Sequence, residues 1–200
     1  MLSIIQAAGW PIWFLLAASV IAVALIIERF IVLRRARIVP AGLLDKVVDA
    51  YRKQGVSGQL VENLYRDSPL GRVLAAGLRT HKAPRPVMKE AIEEEGRAVT
   101  HELERFLTTL GTIATASPLW GLFGTVVGMI EIFGSQSPSG SNPAQLAHGI
   151  SVALYNTGFG LLVAIPALIF FRYFRAKVEG FVLDMEQQAS RLVDMVHGDR

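Results

Sequence analysis

The chain has no cysteine. This excludes a disulfide framework, a Cys-ligated zinc or iron–sulfur site and a cysteine nucleophile. Charge is also scarce. Asp, Glu, Lys and Arg make up 18% of the 200 residues, whereas soluble chains average about 25%. The scarcity is local: residues 1–27 and 106–130 carry no charged side chain, and within 132–171 only His148 can be charged near neutral pH. A chain that is 52% hydrophobic is not a disordered one. A water-soluble fold of this size could not cover three such stretches, so the composition implies an integral membrane protein.

Familiar reaction motifs are missing too. There is no P-loop, no HExxH, no GxSxG elbow and no dinucleotide-binding fingerprint. His81, His101, His148 and His197 are scattered, with no pair at metal-ligand spacing. They read as surface or interface residues, and no cofactor is expected.

What is present are three apolar runs. The first starts at Gly9-Trp10-Pro11 and ends at Glu28-Arg29; Trp favours the headgroup level and Pro suits a first helical turn. No positive charge precedes this run and no small-residue cleavage motif follows it, so it reads as a retained span rather than a signal peptide. The second and third runs cover 106–131 and 150–171, each long enough for a ~30 Å hydrocarbon core. The expected order is a short lead (1–9), span 10–28, an inner segment 29–105, span 106–131, a Ser/Pro/Gly-rich loop 132–149, span 150–171 and a tail 172–200.

The basic residues orient this arrangement. Fifteen of the twenty Lys and Arg lie within 29–105 and five follow Phe171; the lead and the 132–149 loop have none. The positive-inside rule then puts the N-terminus outside and the C-terminus in the cytoplasm. The net charge of +3 is thus a topology signal and does not point to nucleic acid.

Leu43, Leu44, Val47, Val48 and Tyr51 repeat at helical spacing, and Val56–Arg66 and Pro69–Lys82 read as further short helices. After the break at Ala83-Pro84-Arg85-Pro86, nothing interrupts Val87 to Phe106. One long helix running into the second span is therefore expected. In the tail, Val178, Phe181, Val182, Met185, Ala189, Leu192, Val193 and Val196 form a packing stripe that serves either the chain's own helices or an oligomer contact. Glu28 and Arg29 read as an inner-interface anchor, able to pair with a neighbouring subunit. The fold expected is an all-α membrane protein with three transmembrane helices, the second and third continuing as long cytoplasmic helices, plus a small cytoplasmic helical segment.

Within the second span, Gly121, Gly124 and Gly128 provide small residues three and four apart, which lets helix backbones approach in lipid. Gly158 and Gly160 read as packing glycines of the third span. Pro118 and Pro166 each remove a backbone donor and are expected to kink their helices. One hydroxyl sits among the glycines of each span, Thr125 and Thr157. Each either bonds its own helix's i−4 carbonyl or lines a polar path.

PLWGLFGTVVGMI (118–130) and GISVALYNTGFGLLVAIPA (149–167) resemble the two signature spans of the MotA/TolQ/ExbB proton channel family, and IIERF (26–30) fits the end of its first span. Three spans point to the ExbB/TolQ-like branch. The resemblance implies a homo-oligomer, a pentamer, in the bacterial inner membrane, with the second and third spans lining a pore. That pore would hold the single helices of two ExbD- or TolR-like partners, each with a proton-carrying Asp. The work would reach a TonB- or TolA-like protein, and the family's pore-facing threonines would match Thr125 and Thr157. Many relatives have a Glu where this chain has Val152, so a role for that Glu does not carry over. Glu131, the one acid of the outer membrane half, is either a collector of protons at the periplasmic mouth or a solvated helix-end carboxylate. A structural scaffold that only holds a partner's helix is the alternative function. An intramembrane enzyme ranks last for want of a Ser/His, paired-Asp or metal constellation, and three spans show no inverted transporter repeat.

Overall fold

The computed structural model describes residues 9–134 and 143–198; the side chains of Gln54, 143–146, His148 and Val152 lie outside that description. The readings placed on Met1–Ala8, on 135–142 and on the Val152 side chain therefore fall outside the described residues. The helices are α1 (Pro11–Val32), α2 (Arg35–Ile38), α3 (Leu43–Gln54), α4 (Gly58–Asp67), α5 (Pro69–Arg79), α6 (Arg85–Leu103), α7 (Leu107–Gly134) and α8 (Pro143–His197). No strand occurs among the described residues. Three helical stretches are long and apolar enough to cross a membrane: Pro11–Val32, Leu107–Gly134 and Gly149–His197. The chain is an all-α membrane protein.

Contacts divide the described residues into two compact units, one made of those up to 28 with those of 106–173 and the other of 29–105 with those from 174 onward. The first contains the apolar helices. Gly9 takes a left-handed φ of 77°, and Pro11 then opens α1. Along α1, Ile12, Leu15 and Ala22 are buried while Trp13, Val20, Ile21 and Val23 face outward, as suits a helix with lipid on one side. The Trp120 indole N–H donates to the Pro11 carbonyl at 3.1 Å. Its ring lies 4.8 Å from that of Phe14, and Trp10 stands edge-on to Trp120 and Phe123. This cluster fixes α1 against one side of α7. Pro118 and Pro166 lie inside helices that continue through them.

The second unit is built on amphipathic faces. Leu43, Leu44 and Val47 of α3 are buried, as are Val61 and Leu64 of α4. Ser57 caps α4, accepting from the Leu60 amide at 3.1 Å, and Ser68 caps α5, accepting from the Gly71 amide at 3.1 Å. Gly71 is required there because any Cβ would collide with the Leu64 carbonyl oxygen. Arg72 of α5 reaches Glu95 at 2.8 Å and Glu102 at 2.5 Å, tying α5 to α6. Burial disfavours its charge, but the hydrogen bonds and charges of Glu102 and Glu95 outweigh that and raise its pKa. The tail of α8 buries Val178, Phe181, Met185, Ala189, Leu192 and Val193, with Val182 and Val196 at the margins. The stripe thus serves packing within the chain. Arg35–Asp184 (2.8 Å) and Arg85–Asp194 (2.6 Å) hold this tail to α2 and α6. His197 lies against the Ala83 carbonyl at 3.2 Å.

The helices run past the expected spans. α1 runs through Glu28-Arg29 to Val32, α7 extends to Gly134, and α8 begins at Pro143. The helix from Val87 does not run unbroken into the second span. It ends at Leu103, a turn occupies 104–106, and Phe106 sits at φ 64°. That left-handed conformation costs a non-glycine residue roughly 1–2 kcal/mol. Arg29 is a tertiary partner at the break: only 3% exposed, it donates to the Leu103 carbonyl at 3.1 Å. Leu103 is the last helical residue, so its carbonyl lacks an intrahelical partner and favours a cation. Within this chain Arg29 is turned inward, more a helix cap than an exposed anchor; Glu28 is half-buried.

Candidate functional site

α7 and the first half of α8 meet along a seam of small residues. A Cβ built on Gly128 would lie 3.2 Å from the Ala153 Cβ; one on Gly124 would lie 2.7–3.0 Å from Cγ, Cβ and Nδ2 of Asn156. One on Gly121 would lie 2.6 Å from the Asn156 carbonyl oxygen and 3.2 Å from the Gly160 Cα, and one on Gly160 would lie 2.6 Å from the Ser117 carbonyl oxygen. As the α7 numbers fall from 128 to 117, the α8 numbers rise from 153 to 160. The helices are therefore antiparallel and in backbone contact. Lipid offers no hydrophobic drive for helix association, so such close approach is the main attraction available.

A Cβ on Gly121, Gly124, Gly128 or Gly160 would thus press on the facing helix. Gly158 lies elsewhere: a Cβ there would meet nothing within 4 Å. Two residues from Gly160, it points about 200° away from it on the helix. It opens instead onto an outer groove of about 430 Å³ shared with Ser151, Leu154, Tyr155, Phe159 and Leu162.

The seam also holds a residue that sequence reasoning missed. Asn156 is 1% exposed, its side chain pressed onto Gly124. The available signal was the 3-4 spacing Ala153, Asn156, Gly160, which mirrors Gly128, Gly124, Gly121; an amide is simply not counted among small residues. Ser117, 3% exposed, lies along the same seam.

Thr125 follows Gly124 and Thr157 follows Asn156. Each is rotated roughly 70° from the midline of its seam, in the same sense along its own chain. In an antiparallel pair, equal rotations of one sense fall on the same side. Both hydroxyls therefore flank the seam together, and both residues are half-buried. Trp120 and Phe123, which hold α1, lie on the opposite flank. The side carrying the threonines is thus the side of α7 away from the Trp10–Phe14 contact.

The Thr125 hydroxyl donates to the Leu122 carbonyl at 2.6 Å, an i−3 bond in place of the expected i−4. Its hydrogen is engaged, and its lone pairs are left to accept. Thr125 borders a groove of about 630 Å³ with Val126, Met129, Ile130 and Phe133. Glu131 is exposed, six residues further along α7, and its helical position is on the other flank of the seam from Thr125. Among the described residues no group of three or more His, Asp or Glu could hold a metal ion.

The model of the MotA/TolQ/ExbB proton channel family matches residues 65–187, a range that contains the whole seam. The chain belongs to this family. It is similar to the putative biopolymer transport protein ExbB-like 3 of Synechocystis, 36% identical over 86% of this chain and 84% of that one. It is 32% identical to biopolymer transport protein exbB1 of Vibrio cholerae, over 82% of this chain and 74% of that one. The Tol-Pal system protein TolQ of Pseudomonas aeruginosa is also 32% identical, over 82% of this chain and 77% of its own length. These relatives put the chain in the ExbB/TolQ-like branch. The antiparallel seam and its two hydroxyls are therefore features of a proton-channel family member.

Proposed function

We propose that this chain is the wall subunit of a bacterial inner-membrane motor driven by the proton-motive force. Five copies surround the single helices of two ExbD- or TolR-like partners, with α7 and α8 facing the pore and α1 outside. The N-terminus is periplasmic and the C-terminus cytoplasmic. Work passes to the outer membrane through a TonB- or TolA-like protein.

The observation that carries this reading is the pair Thr125 and Thr157 on one flank, turned away from the α1 contact. Between Arg105 and Arg172 the only carboxylate is Glu131. A proton relay through hydrocarbon needs titratable groups, which are costly there. Threonine cannot carry a net proton near neutral pH, so the carrier belongs to another chain. The hydroxyls accept from the partner's protonated acid and, by turning their O–H away from their own helix, donate to its carboxylate, which keeps the acid solvated through protonation and release. Each proton crossing 100 mV supplies about 2.3 kcal/mol, several times RT and enough to bias a conformational cycle.

The test is reconstitution into liposomes with an imposed pH gradient and a trapped pH dye. Flux is expected only when this chain and an Asp-bearing single-span partner are both present, and Asp→Asn in the partner should remove it. Equal flux from this chain alone would overturn the division of labour. Assembly without flux would favour the scaffold.

Glu131 lies on the other flank, so proton collection at the periplasmic mouth finds no support in its position. Glu131→Gln should leave flux in the same liposomes within about twofold, as for an exposed helix-end carboxylate. A tenfold loss with assembly intact would restore the collecting role.

A further inference from the structure

The second unit contains a groove of about 420 Å³ between α5, α6 and the tail of α8. Val73, Ile92 and Met185 form an apolar floor, and the rim carries Glu93, Glu104 and Glu186 against Arg97 and His101. Acid outweighs base. Gly96 opens directly onto this space. It lies in the middle of the 19-residue helix α6, where glycine costs roughly 0.5–1 kcal/mol relative to alanine. A Cβ there would meet nothing within 4 Å, so no contact among the described residues accounts for its small size.

We infer that this groove takes the cytoplasmic flank of the single-span partner, a short basic segment carrying apolar residues. The inference rests on the motor reading for the existence of that partner. The complementarity follows from topology: a single-span protein keeps Lys and Arg on its cytoplasmic flank. An acidic rim holds those cations, and an apolar floor takes the side chains between them. Reach is adequate. Glu104 stands three residues before the first residue of α7, and Glu93 is eleven residues further back along the chain. That run of helix spans about 16 Å, which about five extended residues cover.

The experiment uses the full chain, assembled in nanodiscs of zwitterionic lipid, and a fluorescent peptide of about ten residues alternating Lys and Leu. Anisotropy is read against empty nanodiscs and against a Glu/Leu peptide. Saturable binding of the basic peptide alone is expected. It should weaken about tenfold in Glu93→Gln/Glu104→Gln/Glu186→Gln and about tenfold in Gly96→Phe, whose ring fills the groove. Circular-dichroism melting checks that both variants fold, and Glu90→Gln, an exposed position on α6 that does not line the groove, should bind as the parent does. Equal binding of both peptides, no saturable binding, or no response to either variant would overturn the inference. So would cross-linking from position 96 to a second copy of this chain in preference to the peptide. The assay needs neither flux nor partner, so its failure is distinct from failure of the motor reading.

Discussion

Replacing Thr125 and Thr157 together with valine should abolish partner-dependent proton flux while leaving the chain folded and assembled. Valine keeps the branched shape and removes only the hydroxyl. The Leu122 carbonyl, which accepts from Thr125 at 2.6 Å, remains within a helix whose backbone bonds satisfy it, so its loss disturbs the fold little. The loss to the partner's acid is larger. A hydrogen bond to a charged group contributes about 1.5–3 kcal/mol, so each substitution should slow flux roughly tenfold to a hundredfold. The pair should lower it to background. Thr125→Ser and Thr157→Ser keep the hydroxyl and should retain most of it. Dye-loaded liposomes measure the rate, and co-purification of the partner measures assembly. A double valine variant with normal flux would leave the chain as a scaffold around a path that it does not shape.

Local chemistry explains which parts of this architecture were legible in the sequence. The apolar runs and the stripe of Val178, Phe181, Met185, Ala189, Leu192 and Val193 follow helical periodicity, and these residues are buried. The break at 104–106 was not legible. No Gly or Pro marks it; it is set by Phe106 in a left-handed conformation and by Arg29, which is distant in sequence, on the Leu103 carbonyl. The ends of the spans were blurred for a related reason, because a helix does not stop where apolar composition stops. Half of the candidate site was visible. Gly121, Gly124 and Gly128 announce a seam by spacing alone, whereas the surface facing them contains Asn156. That residue becomes a packing residue only once its side chain lies on Gly124. The common flank of Thr125 and Thr157 needs the antiparallel register as well as the two sequences.

The two glycines of the third span should respond in opposite ways to the same substitution. Gly160→Ala puts a methyl group 2.6 Å from the Ser117 carbonyl oxygen and 3.1 Å from the Gly121 Cα. Both are backbone atoms that cannot rotate away, so α7 and α8 must separate. Overpacking of this kind costs about 1–3 kcal/mol. Here the cost also falls on the contact that aligns the two hydroxyls, so loss of flux should accompany loss of stability. Gly158→Ala meets nothing within 4 Å, and in a helix interior it should stabilise the isolated chain by roughly 0.5–1 kcal/mol. Denaturant unfolding in detergent, followed through tryptophan fluorescence, separates the two. The oligomer is a further discriminator. If the groove beside Gly158 receives a neighbouring helix, Gly158→Ala should weaken assembly while the isolated chain gains stability. A parallel fall in both would mean that Gly158 belongs to the seam after all. Equal tolerance at both positions would mean that α7 and α8 are not in backbone contact, and the shared flank of Thr125 and Thr157 would fall with that.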